Sequence, residues 1–415
     1  MTDNSPRLRT DIEVIPTSYQ GKTVFVVRDS LGLIPEPVML QGAGIVLLRL
    51  IDGEKSLTDI QLELIRWNNN VYIGLDDVTS LVQQLDEIML LDSLRYRQAR
   101  EHIVQEYGRL AVRAPHLAGQ AYPAERAALE SFMGERMSSG DNPSQAPAVS
   151  QGIRALVAPH IDLKVGQRVY ARAYGALRGL SPKRIVLLGT GHSLHGSYFS
   201  LSEKTFSTPL GEVRSDLDWV AALKEAGRES VSPDDFVHRS EHSLEFQLLF
   251  CQHLFGDSFS IVPVLCGSFH ELLGRVSRPA DLEDIRGFLS VLKEFLAKEP
   301  DTLVIAGVDF SHIGLKFGHD TSAAALLSEA RAHDMALINA LCRGDLTGFW
   351  LESRRVGDRY HVCGFSAMAC VLELFDDLEG RMLDYEFWRE EATRSAVSFA
   401  AVLLVENSRK ESPGG

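Results

Sequence analysis

Two stretches decide the fold: Arg154-Ala-Leu-Val-Ala-Pro-His160 and Lys183-Arg-Ile-Val-Leu-Leu-Gly-Thr-Gly-His192. Each is a short run of β-branched and leucine residues bounded by Pro or Gly, the pattern of a strand buried on both faces. Residues 165–180 between them have helical patterning. Strand, helix and strand at this spacing form a βαβ unit, so the strands are expected to be parallel and adjacent or nearly so. Their carboxyl ends then share one edge, where open α/β sheets bind ligands. Each strand ends on a histidine, His160 after Pro159 and His192 after Gly191. A single histidine after a strand is usually a turn residue. Two delivered to one edge by rigid strands are a candidate metal or acid–base pair.

The pattern continues outward. Residues 259–267 read as a third buried strand, and residues 301–312 as a fourth that ends on Asp309 and His312. Helices are expected over 124–137, 216–225, 240–255, 281–298 and 320–342, with a last strand over 395–406. The fold class is therefore α/β, a mostly parallel central sheet covered by helices. In His238-Arg-Ser-Glu-His-Ser-Leu-Glu245, Ser240 is the expected N-cap, and Glu241 falls in the first turn, where the helix dipole favours negative charge. His242 and Glu245 are three apart and share a face, as a surface ion pair or as pocket residues. Cys363 enters a helix that runs to 375, a place where the dipole stabilises a thiolate. Cys251, Cys266, Cys342 and Cys370 lie in apolar contexts and read as core thiols, and His253, His270, His319 and His333 as surface or loop residues.

At 415 residues the chain is too long for one ordinary core, so two domains are expected. A net charge of −14 argues against non-specific nucleic-acid binding. No uncharged apolar run approaches the ~18 residues of a membrane span, and the first residues show no basic-then-apolar leader. Five cysteines without framework spacing suit a reducing cytoplasm.

Residues 1–98 read as a small winged-helix-like domain: strands over 11–16 and 23–28, helices over 43–51, 57–67 and 76–91, and a wing strand over 93–97. Residues 99–112 read as a helical linker, 113–407 as the α/β domain, 138–150 as a loop inside it and 408–415 as a disordered tail. The first hundred residues hold ten basic and fourteen acidic side chains, a poor match for DNA. The segment Leu33-Ile-Pro-Glu-Pro-Val38, followed by helices with Asp52-Gly53 between them, resembles PqqD-like domains. That resemblance implies binding of a peptide or partner protein through a β-edge and groove.

From residue 113 onward the chain resembles the Memo family. The matching pieces are H-L-A-G at 116–119, V-A-P-H at 157–160, L-G-T-G-H at 188–192, E-H-S-L-E at 241–245, V-D-F-S-H at 308–312, C-G at 363–364 and S-F-A-A at 398–401. The ordered set is far more specific than any one piece. The family's fold is similar to class III extradiol dioxygenases, which are non-haem iron enzymes. The resemblance implies that His160, His192 and Cys363 hold one transition metal, Fe(II) favoured and Cu or Zn possible as softer alternatives for a thiolate. It implies that Asp309 and His312 are the acid and histidine beside it, with His116, Glu241, His242 and Glu245 around the pocket. Ile161-Asp162 follows His160 where many relatives have Ala-Gly-Tyr, so Asp162 either adds a carboxylate or solvates the turn. Three functions compete: metal-dependent redox or oxygenase chemistry on a small molecule or peptide; a non-catalytic metal- and peptide-binding accessory protein with a vestigial pocket; and a cysteine hydrolase with Cys363 as nucleophile and His312 as base. Bacterial relatives are associated with radical-SAM proteins, which makes one an expected partner.

Overall fold

The computed structural model describes residues 5–19, 22–29, 31–34, 38–138 and 152–406. The tail, and all of the 138–150 loop except Ser138, lie outside the described residues. The chain divides into two units, 1–109 and 110–415.

In the first unit, β1 (Ile12–Tyr19), β2 (Lys22–Asp29) and β3 (Val38–Leu40) form an antiparallel sheet. Four helices follow: α1 (Ala43–Leu50), α2 (Leu57–Trp67), α3 (Leu75–Glu87) and α4 (Leu94–Gly108). Ser56 and Asp59 close a capping box at the start of α2. Ile60 and Leu64 of α2 meet Val78, Val82 and Leu85 of α3 in the core of this unit. The buried Arg9 guanidinium ties Asp11 and Asp29, each at 2.7 Å, to the Met89 carbonyl at 3.0 Å. The expected wing strand over 93–97 is instead the first turn of α4, because the Ser93 hydroxyl caps it by accepting from the Tyr96 amide. The expected linker over 99–112 is largely the rest of that helix, which belongs to the first unit.

The second unit runs through β4 (Val112–Arg113), α5 (Arg126–Ser138), β5 (Ile153–Ala158), α6 (Gln167–Gly175), β6 (Arg184–Thr190), β7 (Phe199–Leu201), β8 (Thr205–Thr208) and β9 (Gly211–Val213). It continues through α7 (Leu217–Gly227), α8 (His242–Phe255), β10 (Ser260–Cys266), α9 (Glu283–Lys298), β11 (Thr302–Gly307) and β12 (His312–Gly314). It ends with α10 (Ala323–Cys342), α11 (Leu346–Val356), α12 (Phe365–Leu374), β13 (Leu378–Glu390) and β14 (Ser395–Glu406).

Eight strands form one mixed sheet in the order β12-β14-β5-β11-β6-β10-β7, with β13 paired to β14. The four central strands, β5, β11, β6 and β10, are parallel, and every flanking pair is antiparallel. The β5-α6-β6 crossover is thus as expected, with β11 inserted between its strands. Alternate residues feed two cores. Val157, Val186, Val264 and Val304 pack with α7, α9 and α12, while Leu156, Leu187, Leu265 and Ile305 pack with α5, α6 and α8. Helix α9 shows how: Ile285, Phe288, Leu289, Leu292 and Leu296 make one buried stripe. Helix α8 differs, with every residue from Ser243 to Gln252 buried. The last turn of the central strands makes room for it. Ala158, Gly307 and Gly189 are register neighbours across three strands. A Cβ on Gly307 would meet the Ser243 carbonyl, and one on Gly189 would lie 2.6 Å from Leu244 Cδ2.

Residues 301–312 are not one strand. Strand β11 stops at Gly307, and His312 opens the short β12, antiparallel to β14. Helix α11 and strands β7 to β9 and β13 carry no strong periodic signal and were not expected. Among the described residues no helix is long and apolar enough to cross a membrane.

Candidate metal centre

His160 and His192 each follow a central strand by two residues, so both arrive at the carboxyl edge on a rigid frame. The His160 ring is buried, and its Nδ1 lies 2.9 Å from the Gly307 carbonyl. A carbonyl can only accept, so the proton sits on Nδ1 and Nε2 keeps its lone pair. Nε2 is 3.5 Å from Cys363 Sγ. His192 repeats the arrangement with a different partner: Nδ1 lies 3.0 Å from both carboxylate oxygens of Glu241, again leaving Nε2 for the site. Cys363 comes from a loop. Gly357, Asp358 and His361 have φ of 62°, 60° and 48°, and Gly364 follows with its amide on the Asp309 carbonyl at 3.1 Å. A Cβ on Gly364 would lie 2.8 Å from that carbonyl, so only glycine brings the thiol this close to the strand end. One ligand atom each from His160, His192 and Cys363 lie within 4.8 Å of one another.

Burial sets the charges here. It pushes the Cys363 thiol up, against the pull of His192, and it holds His160 well below the usual histidine range together with the His192 and His242 charges. Burial also raises Asp309 to about 7. Burial works against ionising Glu241, but His192 and His242 beside it and the Ser243 amide hold it low, and its charge in turn raises His192 well above the ordinary value.

A second group, His192, Glu241 and His242, likewise brings one ligand atom each within 4.8 Å of one another. Its carboxylate is already committed. Glu241 accepts from the His192 amide at 3.1 Å, from the His192 ring at 3.0 Å and from the Ser243 amide at 3.0 Å, with His242 Nδ1 at 3.4 Å. Of these two groups among the described residues, the His160–His192–Cys363 one has its ligand atoms turned toward one another, with Cys363 Sγ 3.5 Å from His160 Nε2 and 3.5 Å from the Asp309 carbonyl.

The other expected pocket residues divide. Glu241, not Ser240, caps α8 by accepting from the Ser243 amide. His242 lies against both site imidazoles, with centroids 5.2 Å from each. Glu245 is engaged elsewhere: its buried carboxylate pairs with Arg113, takes the His116 and Leu117 amides at 2.9 and 2.8 Å and accepts from the Tyr122 hydroxyl. It is a strut for the 113–122 segment. His116 is exposed on that segment. Asp162 is exposed and accepts from the Lys164 amide at 2.8 Å, so it shapes the turn and adds no carboxylate. Asp309 sits with His160 rather than His312: Oδ1 accepts the His160 amide at 3.0 Å, and Oδ2 is 3.7 Å from its Nε2. The His312 ring turns Nδ1 to the carbonyls of Phe310 at 3.0 Å and His361 at 3.2 Å, and burial holds its pKa down to about 4. His333, expected at the surface, is buried in α10 with Nδ1 2.9 Å from Glu352. Sequence reasoning missed Ser243, whose hydroxyl donates to the Thr190 carbonyl at 3.0 Å, and Gln247, whose amide donates to that of Pro159 at 2.9 Å. Polar residues at 243 and 247, one turn apart among apolar neighbours, were the available signal.

Residues 113–403 match the family model described as Memo-like protein. A MEMO1 family protein of Aquifex aeolicus is 28% identical over 387 residues, 92% of this chain and 96% of the relative. One from Nitrosopumilus maritimus is 26% identical over 301 residues, 71% of this chain and 100% of the relative. One from Methanopyrus kandleri is 31% identical over 288 residues, 66% of this chain and 91% of the relative. With the family model spanning well over half of its residues and the motif residues gathered at one sheet edge, the chain belongs to the Memo family.

Proposed function

We propose that the second unit binds one transition metal through His160 Nε2, His192 Nε2 and Cys363 Sγ. The observation that carries this is the orientation of the rings: both imidazoles have their Nδ1 hydrogens spent on fixed acceptors, which leaves both Nε2 atoms to the space beside one sulfur. Two imidazoles and a thiolate suit Fe(II), Cu(I) or Zn(II), with Fe(II) favoured by the resemblance to non-haem iron enzymes. A redox-active ion with open positions would supply oxidoreductase or oxygenase chemistry on a small molecule or peptide. His312 belongs to this reading as a neutral imidazole whose Nε2 can accept a proton. Elemental analysis of anaerobically purified protein tests the proposal: one ion per chain is expected in the wild type and none in His192→Ala or Cys363→Ala. Full occupancy in those variants would sink it.

A second reading, a metal- and peptide-binding accessory protein that partners a radical-SAM enzyme, has support from the first unit. The Nitrosopumilus relative is matched over its whole length by 71% of this chain, about the share that the Memo-like region occupies. The first unit is then an addition to a self-sufficient fold. Oxygen consumption by the iron-loaded protein separates the two readings. The hydrolase reading loses support, because His160, not His312, lies beside the sulfur, and burial disfavours its thiolate.

A further inference from the structure

The two candidate imidazole ligands are not equivalent, and the difference comes from one residue that is not a ligand. His160 gives its Nδ1 hydrogen to a peptide carbonyl, that of Gly307, at 2.9 Å. His192 gives its own to a buried carboxylate, that of Glu241, with both oxygens at 3.0 Å. Glu241 also takes the His192 backbone amide at 3.1 Å, so it fixes the main chain and the ring of the same residue. Its anchorage is independent of the site: it caps α8 through the Ser243 amide, and the Arg113 guanidinium donates to its carbonyl at 2.9 Å. We infer that Glu241 is a positioning residue that fixes the ring of His192 and, by pulling on its Nδ1 hydrogen, makes His192 the more electron-donating of the two imidazole ligands.

This rests on the metal-site proposal above. A hydrogen-bond acceptor behind a ligating imidazole sets the tautomer and raises ligand basicity, and a charged carboxylate does so more strongly than a neutral peptide carbonyl. A glutamine at 241 keeps an oxygen for the Nδ1 hydrogen and for the cap but removes the charge. Glu241→Gln should therefore leave the fold intact and weaken the bond between the metal and His192.

Anaerobic titration with Co(II), competed by a chelator, tests this. Glu241→Gln should lower Co(II) affinity about 10–100-fold, with the melting temperature within a few degrees of wild type and the cobalt–thiolate absorption retained. In titrations carried to Co(II) concentrations high enough to load variants that purify without metal, the penalty should persist in a His160→Ala background and vanish in a His192→Ala background, because it acts through His192 alone. Wild-type affinity in Glu241→Gln, or an equal penalty in both backgrounds, would overturn the inference and leave the metal site standing. No cobalt uptake by the wild-type protein would remove both. Should Glu241→Gln fail to fold, nitrogen NMR of the Zn(II)-loaded wild-type protein decides: a His192 proton on Nδ1 is expected, and one on Nε2 would overturn the inference.

Discussion

The candidate site is supplied from two sides by different means. His160 and His192 arrive on strand ends pinned from above by α8, through Ser243, Gln247 and Glu241. Cys363 arrives on a loop with three left-handed residues in five, held by contacts to its backbone: the His312 amide on the Tyr360 carbonyl at 2.7 Å, His319 on that of Arg359 at 2.8 Å, and the Thr190 hydroxyl on that of Cys363 at 3.3 Å. The strand side relies on packing and buried charge. The loop side relies on backbone conformations that side chains disfavour. Damage to the first should therefore cost both fold and metal, whereas changes to the second should alter the metal with little cost in stability.

The sharpest break is Arg113→Leu. It leaves the Glu245 carboxylate buried without its cation and the His238 and Glu241 carbonyls without a donor. Breaking a buried pair costs about 3–5 kcal/mol. Denaturant unfolding of the second unit should show that loss, and metal content should fall with it. Next is Gly307→Ala, which adds no polar change but drives a methyl into the Ser243 carbonyl and to 2.6 Å from Gln247 Nε2. Overpacking of this kind costs about 1–3 kcal/mol. An unchanged midpoint would mean that α8 is not seated on the strands as described.

A pH series sharpens the comparison further. His238 is buried edge-on to Phe206, and burial holds it down to about 4. Its pKa is lower folded than unfolded, so the unfolded chain binds more protons between the ordinary histidine value near ~6.5 and ~4. Stability is then full above pH ~6.5 and falls as the pH drops toward 4, by on the order of 3 kcal/mol. His238→Phe should flatten that part of the profile, and a profile as steep as wild type would reassign the effect to other groups. The smallest effect belongs to the loop: His361→Gly relieves a left-handed residue at φ 48° and loses only an exposed ring. It should change stability by no more than about 1 kcal/mol. A larger loss would show that the His319–His361 ring contact, with centroids 5.1 Å apart, supports the loop.

The parallel core was legible because its strands are buried on both faces and read as apolar runs between Gly and Pro. Four such runs match β5, β6, β10 and β11 within a few residues, and the two strand-end histidines followed. The flanks were not legible. Strand β13 is half-exposed and mixed in composition, and α11 begins with Thr and Gly in its first turn, so neither carries a clean period. The wing at 93–97 failed because alternation over five residues cannot be told from a capped first turn. The roles of Glu241, Glu245 and Asp309 were beyond reach for another reason. Sequence places them near the site, but whether a carboxylate faces a histidine, an arginine or a peptide amide depends on contacts between segments far apart in the chain, as with Glu241 and His192 or Glu245 and Arg113.

Helix α8 has ten consecutive buried residues. A helix with no solvent-facing side has no partial opening that spares the rest of the core, so its amides should exchange with deuterium only through global unfolding. Glu241 thus begins the slowest-exchanging element of the unit, while Cys363 follows a partly exposed loop whose amides should exchange faster. If an ion enters or leaves this pocket on a timescale shorter than unfolding, the thiol side has to move to admit it.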